Sequence, residues 1–117
     1  MVSRRLLSAS TLIGDPLVSS AGERLGRIDE LFISPITGRI ALVAVVPAPD
    51  LGLGQKLMVV PWEALTLDSR HEQLTLQTER QRLHDAPRFD PERWPDVADD
   101  GWMRGIHDFY GTQPRED

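Results

Sequence analysis

From Pro16 to Thr78 the hydrophobic positions fall in short, β-branched runs broken by Gly, Pro and Asp. That spacing predicts an antiparallel sheet or small barrel rather than βαβ units. Leu17 to Ser19 reads as a short strand, and Ser20 to Glu23 as a tight turn around Gly22. Leu25 to Ser34 reads as the next strand, with Gly26 marking a bulge or sharp bend. Ser34 to Gly38 forms a second turn, with Gly38 at its left-handed position. Arg39 to Val46 is apolar on both faces, which predicts the most buried strand, covered on both sides. Residues 47–55 form a loop, and Lys56 to Val60 is a strand stopped by Pro61. Trp62 to Leu65 is one helical turn with Pro61 preset at its start. Leu65–Leu67 and Gln73–Leu76 alternate at period two about a turn at 68–72, a hairpin.

After Thr78 the period changes. Thr78 and Gln81 fit a capping box for a short helix that must end before Pro87. Asp90-Pro91 is a second helix-start signal. Asp99 or Asp100 can cap a last helix running to about Tyr110, with Gly111 as its stop. Trp102, Ile106, Phe109 and Tyr110 share one face of that helix. Gly101 and Gly105 weaken it by roughly 1 kcal/mol each, so it must draw stability from packing.

Composition divides the chain at the same place. The chain has 117 residues, no cysteine and a formal charge of −5, which fits one domain without disulfide, thiolate metal site or cysteine nucleophile. Residues 1–83 are neutral, whereas residues 84–117 hold four arginines against nine acids. Phe89, Trp94, Trp102, Phe109 and Tyr110 lie in that acidic part, and only Phe32 and Trp62 precede it. A disordered acidic tail is poor in aromatics, so this one is expected to dock on something. Ser3 to Leu7 has the look of a twin-arginine signal, but Ser8, Ser10 and Thr11 interrupt the apolar stretch it needs. It is read as a short basic arm. The longest apolar run, Ile40 to Val46, is far below the roughly 20 residues that span a bilayer.

Segments Leu12 to Val18, Ala21 to Glu30, Thr37 to Ala41 and Val59 to Leu65 together resemble the PRC-barrel family. That family takes its name from the cytoplasmic domain of the photosynthetic reaction-centre H subunit, and it includes a domain of a ribosomal maturation factor. The resemblance covers about residues 10–78 and implies an all-β fold, a small and strongly bent antiparallel barrel. Ala86 to Asp90, Trp94 to Asp96, Trp102 and Tyr110-Gly111 look like the C-terminal extension of a stand-alone bacterial subgroup. The matching residues Gly14, Gly22, Gly26, Gly38 and Pro61 are structural turn, bulge and strand-end positions. None is a catalytic residue to carry over, and Ser34 stands where the family often has an acid.

The remaining chemistry is sparse. His71, His84 and His107 have no metal-ligand spacing and are read as surface or capping residues. Asp90, Asp96, Asp99 and Asp100 lack the EF-hand pattern and read as caps and solvated acids. Asp29 and Glu30 are expected on opposite faces of their strand, as an edge acid paired with Arg27 or Arg39. A competing reading buries one of them with a raised pKa. No serine lies in a nucleophile-elbow context, and Gly52 to Lys56 lacks the P-loop spacing. The arginines are spread and balanced by acids, so nucleic-acid binding is not expected.

These features predict a barrel over residues 10–78, an aromatic and acidic helical extension over 79–112, and flexible ends at 1–9 and 113–117. The extension packs on its own barrel or on a partner subunit. The expected function is a non-catalytic protein-interaction or assembly module, cytoplasmic and self-associating as a homodimer, with no catalytic, cofactor or metal site. Phe89, Trp94, Trp102, Ile106, Phe109 and Tyr110 are its candidate interface residues. Asp96, Asp99 and Asp100 would shape an acidic rim. Two alternatives stay open. One is a small-ligand sensor or enzyme whose loop 47–55 closes over a barrel mouth bearing Asp29 or Glu30. The other is a ribosome- or RNA-processing adaptor.

Overall fold

The computed structural model describes residues 6–68, 73–93 and 99–114. A helical turn α1 (Ala9–Leu12) leads into β1 (Pro16–Ser19), β2 (Arg24–Ile33), β3 (Ile40–Pro47) and β4 (Leu57–Pro61). Then follow β5 (Leu65–Asp68), β6 (Gln73–Leu76), the two-residue β7 (Arg88–Phe89) and helix α2 (Asp100–Tyr110). Turns of 3-10 helix occupy Pro49–Leu51, Trp62–Ala64 and Arg80–Asp85.

The strands form one seven-stranded sheet in the order β5-β6-β1-β2-β3-β4-β7. Every pair is antiparallel except β1 with β6, which run parallel. Of the expected strongly bent antiparallel barrel with a helical extension, the structure shows a mainly β fold with a C-terminal helix, but its sheet is mixed, with β5 and β7 at the ends of the hydrogen-bonded order. The cause is a long-range pairing. Hairpin β5–β6 forms locally, but β6 then seats Leu74 and Leu76 beside Leu17 and Ser19 of β1. A period-two pattern does not encode the direction of such a non-local neighbour.

Strand β2 carries the bend. Its pairing shifts register between Leu17 and Val18 of β1, between Ile28 and Glu30, and between Phe32 and Ile33. Each irregularity increases local twist. Gly26 sits beside the first. A Cβ there would collide with the Val46 carbonyl oxygen and lie 2.7 Å from Val45 Cγ1, so close backbone approach explains this glycine. Gly14, Gly22 and Gly38 all hold positive φ, the conformation expected of turn glycines. Pro61 ends β4 opposite Leu42. Asp29 falls within the second irregularity, so strict alternation fails there, and Asp29 and Glu30 are both half-buried.

Strands β3 and β4 divide their side chains between two cores. Val43, Val45, Met58 and Val60 face a large core with Leu17, Leu25, Ile28, Leu74, Leu76 and Leu83. Leu42, Ala44, Leu57 and Val59 face a smaller core with Phe89 and Ile106. The doubly apolar run of β3 thus has its cover on both sides, as expected. Each fully buried Leu or Ile contributes about 2 kcal/mol of transfer free energy.

The helix signals after Thr78 fare differently. Residues 80–85 form a 3-10 helix whose N-cap is Glu79 without a side-chain cap bond. The Thr78 Oγ1 is buried without a hydrogen-bond partner among the described residues, so the expected capping box is not formed. Asp90 accepts from the Glu92 amide at 2.9 Å in a turn, and residues 91–93 are not helical. Helix α1, the 3-10 turn Pro49–Leu51 and β7 have no counterpart in the hydrophobic pattern.

Candidate functional site

The extension is built as a cover. Asp99 Oδ1 accepts from the Gly101 and Trp102 amides at 2.9 and 3.2 Å, starting α2. Gly111 ends it in the left-handed conformation. This matches the sequence reading of both ends. The apolar face of α2 lies against β4. Ile106 and Phe89 are 1% and 6% exposed, so two expected interface residues are spent inside the chain's own core. Phe89 meets Phe32 and Trp102 edge-on, with centroids 6.4 and 6.5 Å apart. Trp102, Phe109 and Tyr110 remain half-buried, and Trp94 and Asp96 lie outside the described residues. Asp99 is the cap, and Asp100 is exposed.

Two arginines that no motif singled out tie this assembly together. Arg82 lies 4.4 Å from the Phe109 ring centroid and donates to the Phe109 carbonyl, clamping the C-terminal end of α2 to the 3-10 helix. Burial pushes the Tyr110 phenol well above its usual range, with Arg82 opposing the shift. Its hydroxyl has no hydrogen-bond partner among the described residues.

The second arginine, Arg80, occupies a polar cleft of about 810 Å³ whose lining includes Ser19, Glu23, Asp50, Leu51, Thr78 and His84. Its guanidinium donates to Asp50 at 2.7 Å and lies 3.7 Å from Glu23, joining three segments. The hydrogen bond to Asp50 raises its pKa further. Ser19 is buried, and its hydroxyl accepts from the Ala21 and Glu23 amides. The loop 47–55 does border this cleft, through Asp50 and Leu51, but the second carboxylate is Glu23 rather than Asp29 or Glu30. These partners are 30 residues apart in sequence for Arg80 and Asp50, and no local pattern announces such a pair.

His107 departs from the surface reading: it is 3% exposed. Its Nδ1 is 2.8 Å from the Thr112 hydroxyl, and burial lowers its pKa, with Glu63 and Asp108 opposing. It borders a cavity of about 70 Å³ lined also by Ser34, Thr37, Arg39, Glu63 and Met103. His84 is exposed, and His71 lies outside the described residues. Among the described residues no group of three or more His, Asp or Glu could hold a metal ion, and no helix is long and apolar enough to cross a membrane.

Two surface features complete the picture. At the β2–β3 turn, Ile33 and Ile36 are 57% and 93% exposed. A groove of about 450 Å³ runs between Arg24 and Arg27 of β2 and the Val46–Asp50 segment.

Comparison with known proteins agrees with the strand half of the chain. The family described as the PRC-barrel domain matches residues 5–80 of 117. No curated protein matches.

Proposed function

The chain belongs to the PRC-barrel family, and on that footing we propose that it is a non-catalytic protein-interaction and assembly module. In this reading it self-associates and docks onto a larger complex, and its extension resembles that of one subgroup of the family. The observation that carries this reading is the β2–β3 turn. Ile36 is 93% exposed beside Ile33 at 57%, while Ser34 holds the turn by accepting from the Thr37 amide and the Gly38 amide bonds the Ser34 carbonyl. A hydrogen-bonded turn presenting two large aliphatic side chains fits insertion into an apolar pocket of a partner. The aromatic extension supports the reading indirectly, by covering the second face of the sheet while Ile33 and Ile36 stay exposed.

The test is affinity capture from the native host with the full chain and with Ile36→Asp. The expected result is a stoichiometric partner retained by the wild type and lost with Ile36→Asp, at equal thermal stability. Capture of the same proteins by both would overturn the assignment of the turn.

A small-ligand sensor is the second reading, favoured by the cleft around Arg80. A thermal-shift screen separates the two. Specific stabilisation by more than about 1 kcal/mol from a metal, nucleotide or sugar supports the sensor.

A further inference from the structure

The self-association proposed above acquires a definite surface from the charge distribution. Arg24 and Arg27 are exposed, and among the described residues neither has a side-chain hydrogen-bond or ion-pair partner. Both line the groove of about 450 Å³ beside Val46, Pro47, Ala48 and Pro49. Pro47 and Pro49 have no amide proton, and the Ala48 amide is already bonded to the Leu25 carbonyl at 3.0 Å. The wall thus offers an occupant little of its own, and the two guanidinium groups are the groove's charged donors. The groove's one acid, Asp50, is engaged by Arg80 at 2.7 Å, so the groove presents net positive charge on a strand half that is neutral as a whole.

The complementary surface lies on the same chain. The −5 net charge resides in residues 84–117. Glu92 and Asp100 are exposed, and their carboxylates have no partner among the described residues. Asp99 stands next to Asp100, its Oδ1 committed to capping α2. Guanidinium groups bind carboxylates with geometric specificity, and apolar groove walls lower the local dielectric around such a pair.

We propose that the groove between Arg24, Arg27 and the Pro47–Pro49 wall receives the acidic start of α2, Asp99–Asp100 with Glu92, from a second copy of this chain. Each copy carries one groove and one acidic segment. Two reciprocal contacts then close a two-fold dimer. This inference rests on the reading that the protein self-associates, and it adds the surface and the chemistry of the contact.

A double charge reversal tests it with the full-length protein. Sedimentation velocity is run at about 50 mM and about 500 mM salt on the wild type, on Arg24→Glu/Arg27→Glu, and on Glu92→Arg/Asp100→Arg, which leaves the Asp99 cap intact. The wild type is expected to be a dimer at low salt, with affinity weakened about tenfold or more at high salt. Each double variant alone is expected to be monomeric, because its groove and its extension carry like charge. An equimolar mixture of the two variants is expected to restore a dimer, because both contacts then pair opposite charges. Should a reversal variant fail to fold, Arg24→Gln/Arg27→Gln replaces it and is expected to lose the dimer. A wild-type dimer that persists in the arginine variants overturns this groove while leaving self-association standing. A mixture that stays monomeric also overturns the groove. A wild type that is monomeric at both salt concentrations overturns the self-association reading itself.

Discussion

The two faces of the sheet are closed by different means. The larger core is built mainly from the strands: bends in β2 bring Leu17, Leu25, Ile28, Val43, Val45, Met58, Leu74 and Leu76 together, with Leu83 and Ala86 beside them and the half-buried Phe109 and Tyr110 packed against the cluster. The smaller core is closed by an added helix, with Ile106 set over Leu42, Ala44, Leu57 and Val59. The larger core draws mostly on the strand half that matches the PRC-barrel family; the smaller takes its cover, Phe89 and Ile106, from the acidic extension. A strand half alone would leave an apolar face of β3 and β4 bare. The extension therefore serves first as a cover and second as a carrier of charge. Among its described residues Phe89 and Ile106 are spent inward, and Asp90, Glu92, Asp99 and Asp100 are exposed.

The sharpest way to test that division is to weaken each face separately. Ile28 is fully buried in the larger core, and Ile28→Ala is expected to cost about 4 kcal/mol. Chemical denaturation should show the midpoint falling for strands and helix together, since every element depends on that core. Ile106→Ala in the smaller core is expected to cost about 2 kcal/mol. That loss should concentrate in α2, read as reduced helicity and a changed Trp102 environment before the strands unfold. Equal effects of the two substitutions on strands and helix would erase the distinction between the faces.

The smallest effect is a pH dependence confined to the helix side. Burial holds the His107 pKa below its ordinary value near 6.5. The unfolded chain thus takes up a proton more readily than the folded one. Stability is full above about pH 6.5 and declines as pH falls from there toward the lowered folded pKa. Glu63 and Asp108 limit the decline by favouring the charged ring. His107→Gln should flatten this limb of a thermal-midpoint titration, and an unchanged slope would remove His107 from the account.

How much of this was legible in the sequence follows from the range of the interactions. The strand cores, the turn glycines, the Gly26 irregularity and the Asp99-to-Gly111 span of α2 rest on local pattern, and each was readable. The double burial of β3 was readable too, because the run Ile40 to Val46 leaves neither face polar. The parallel contact of β1 with β6 was not, because period-two alternation is indifferent to the direction of a distant neighbour. The Thr78–Gln81 signal misled, since the chain there tightens into a 3-10 helix held by Arg80 and Arg82 rather than by a cap. His107 was misplaced because its position in the last helical turn suggests solvent, while the adjoining cavity by Ser34, Arg39 and Glu63 is made by other elements. The candidate site was the least legible. Arg80 finds Asp50 across 30 residues, and Arg82 finds the Phe109 carbonyl across 27. Phe89 and Ile106 look like interface anchors only until the face they cover is known.

Native-state hydrogen exchange bears most directly on the claim that α2 is a separately opening cover over the strand cores. The amides of α2 should exchange through an opening weaker than that of Val43, Val45 and Val60, and Ile106→Ala should lower the α2 value alone. A single opening free energy shared by α2 and the strands, shifted equally by Ile106→Ala, would contradict it.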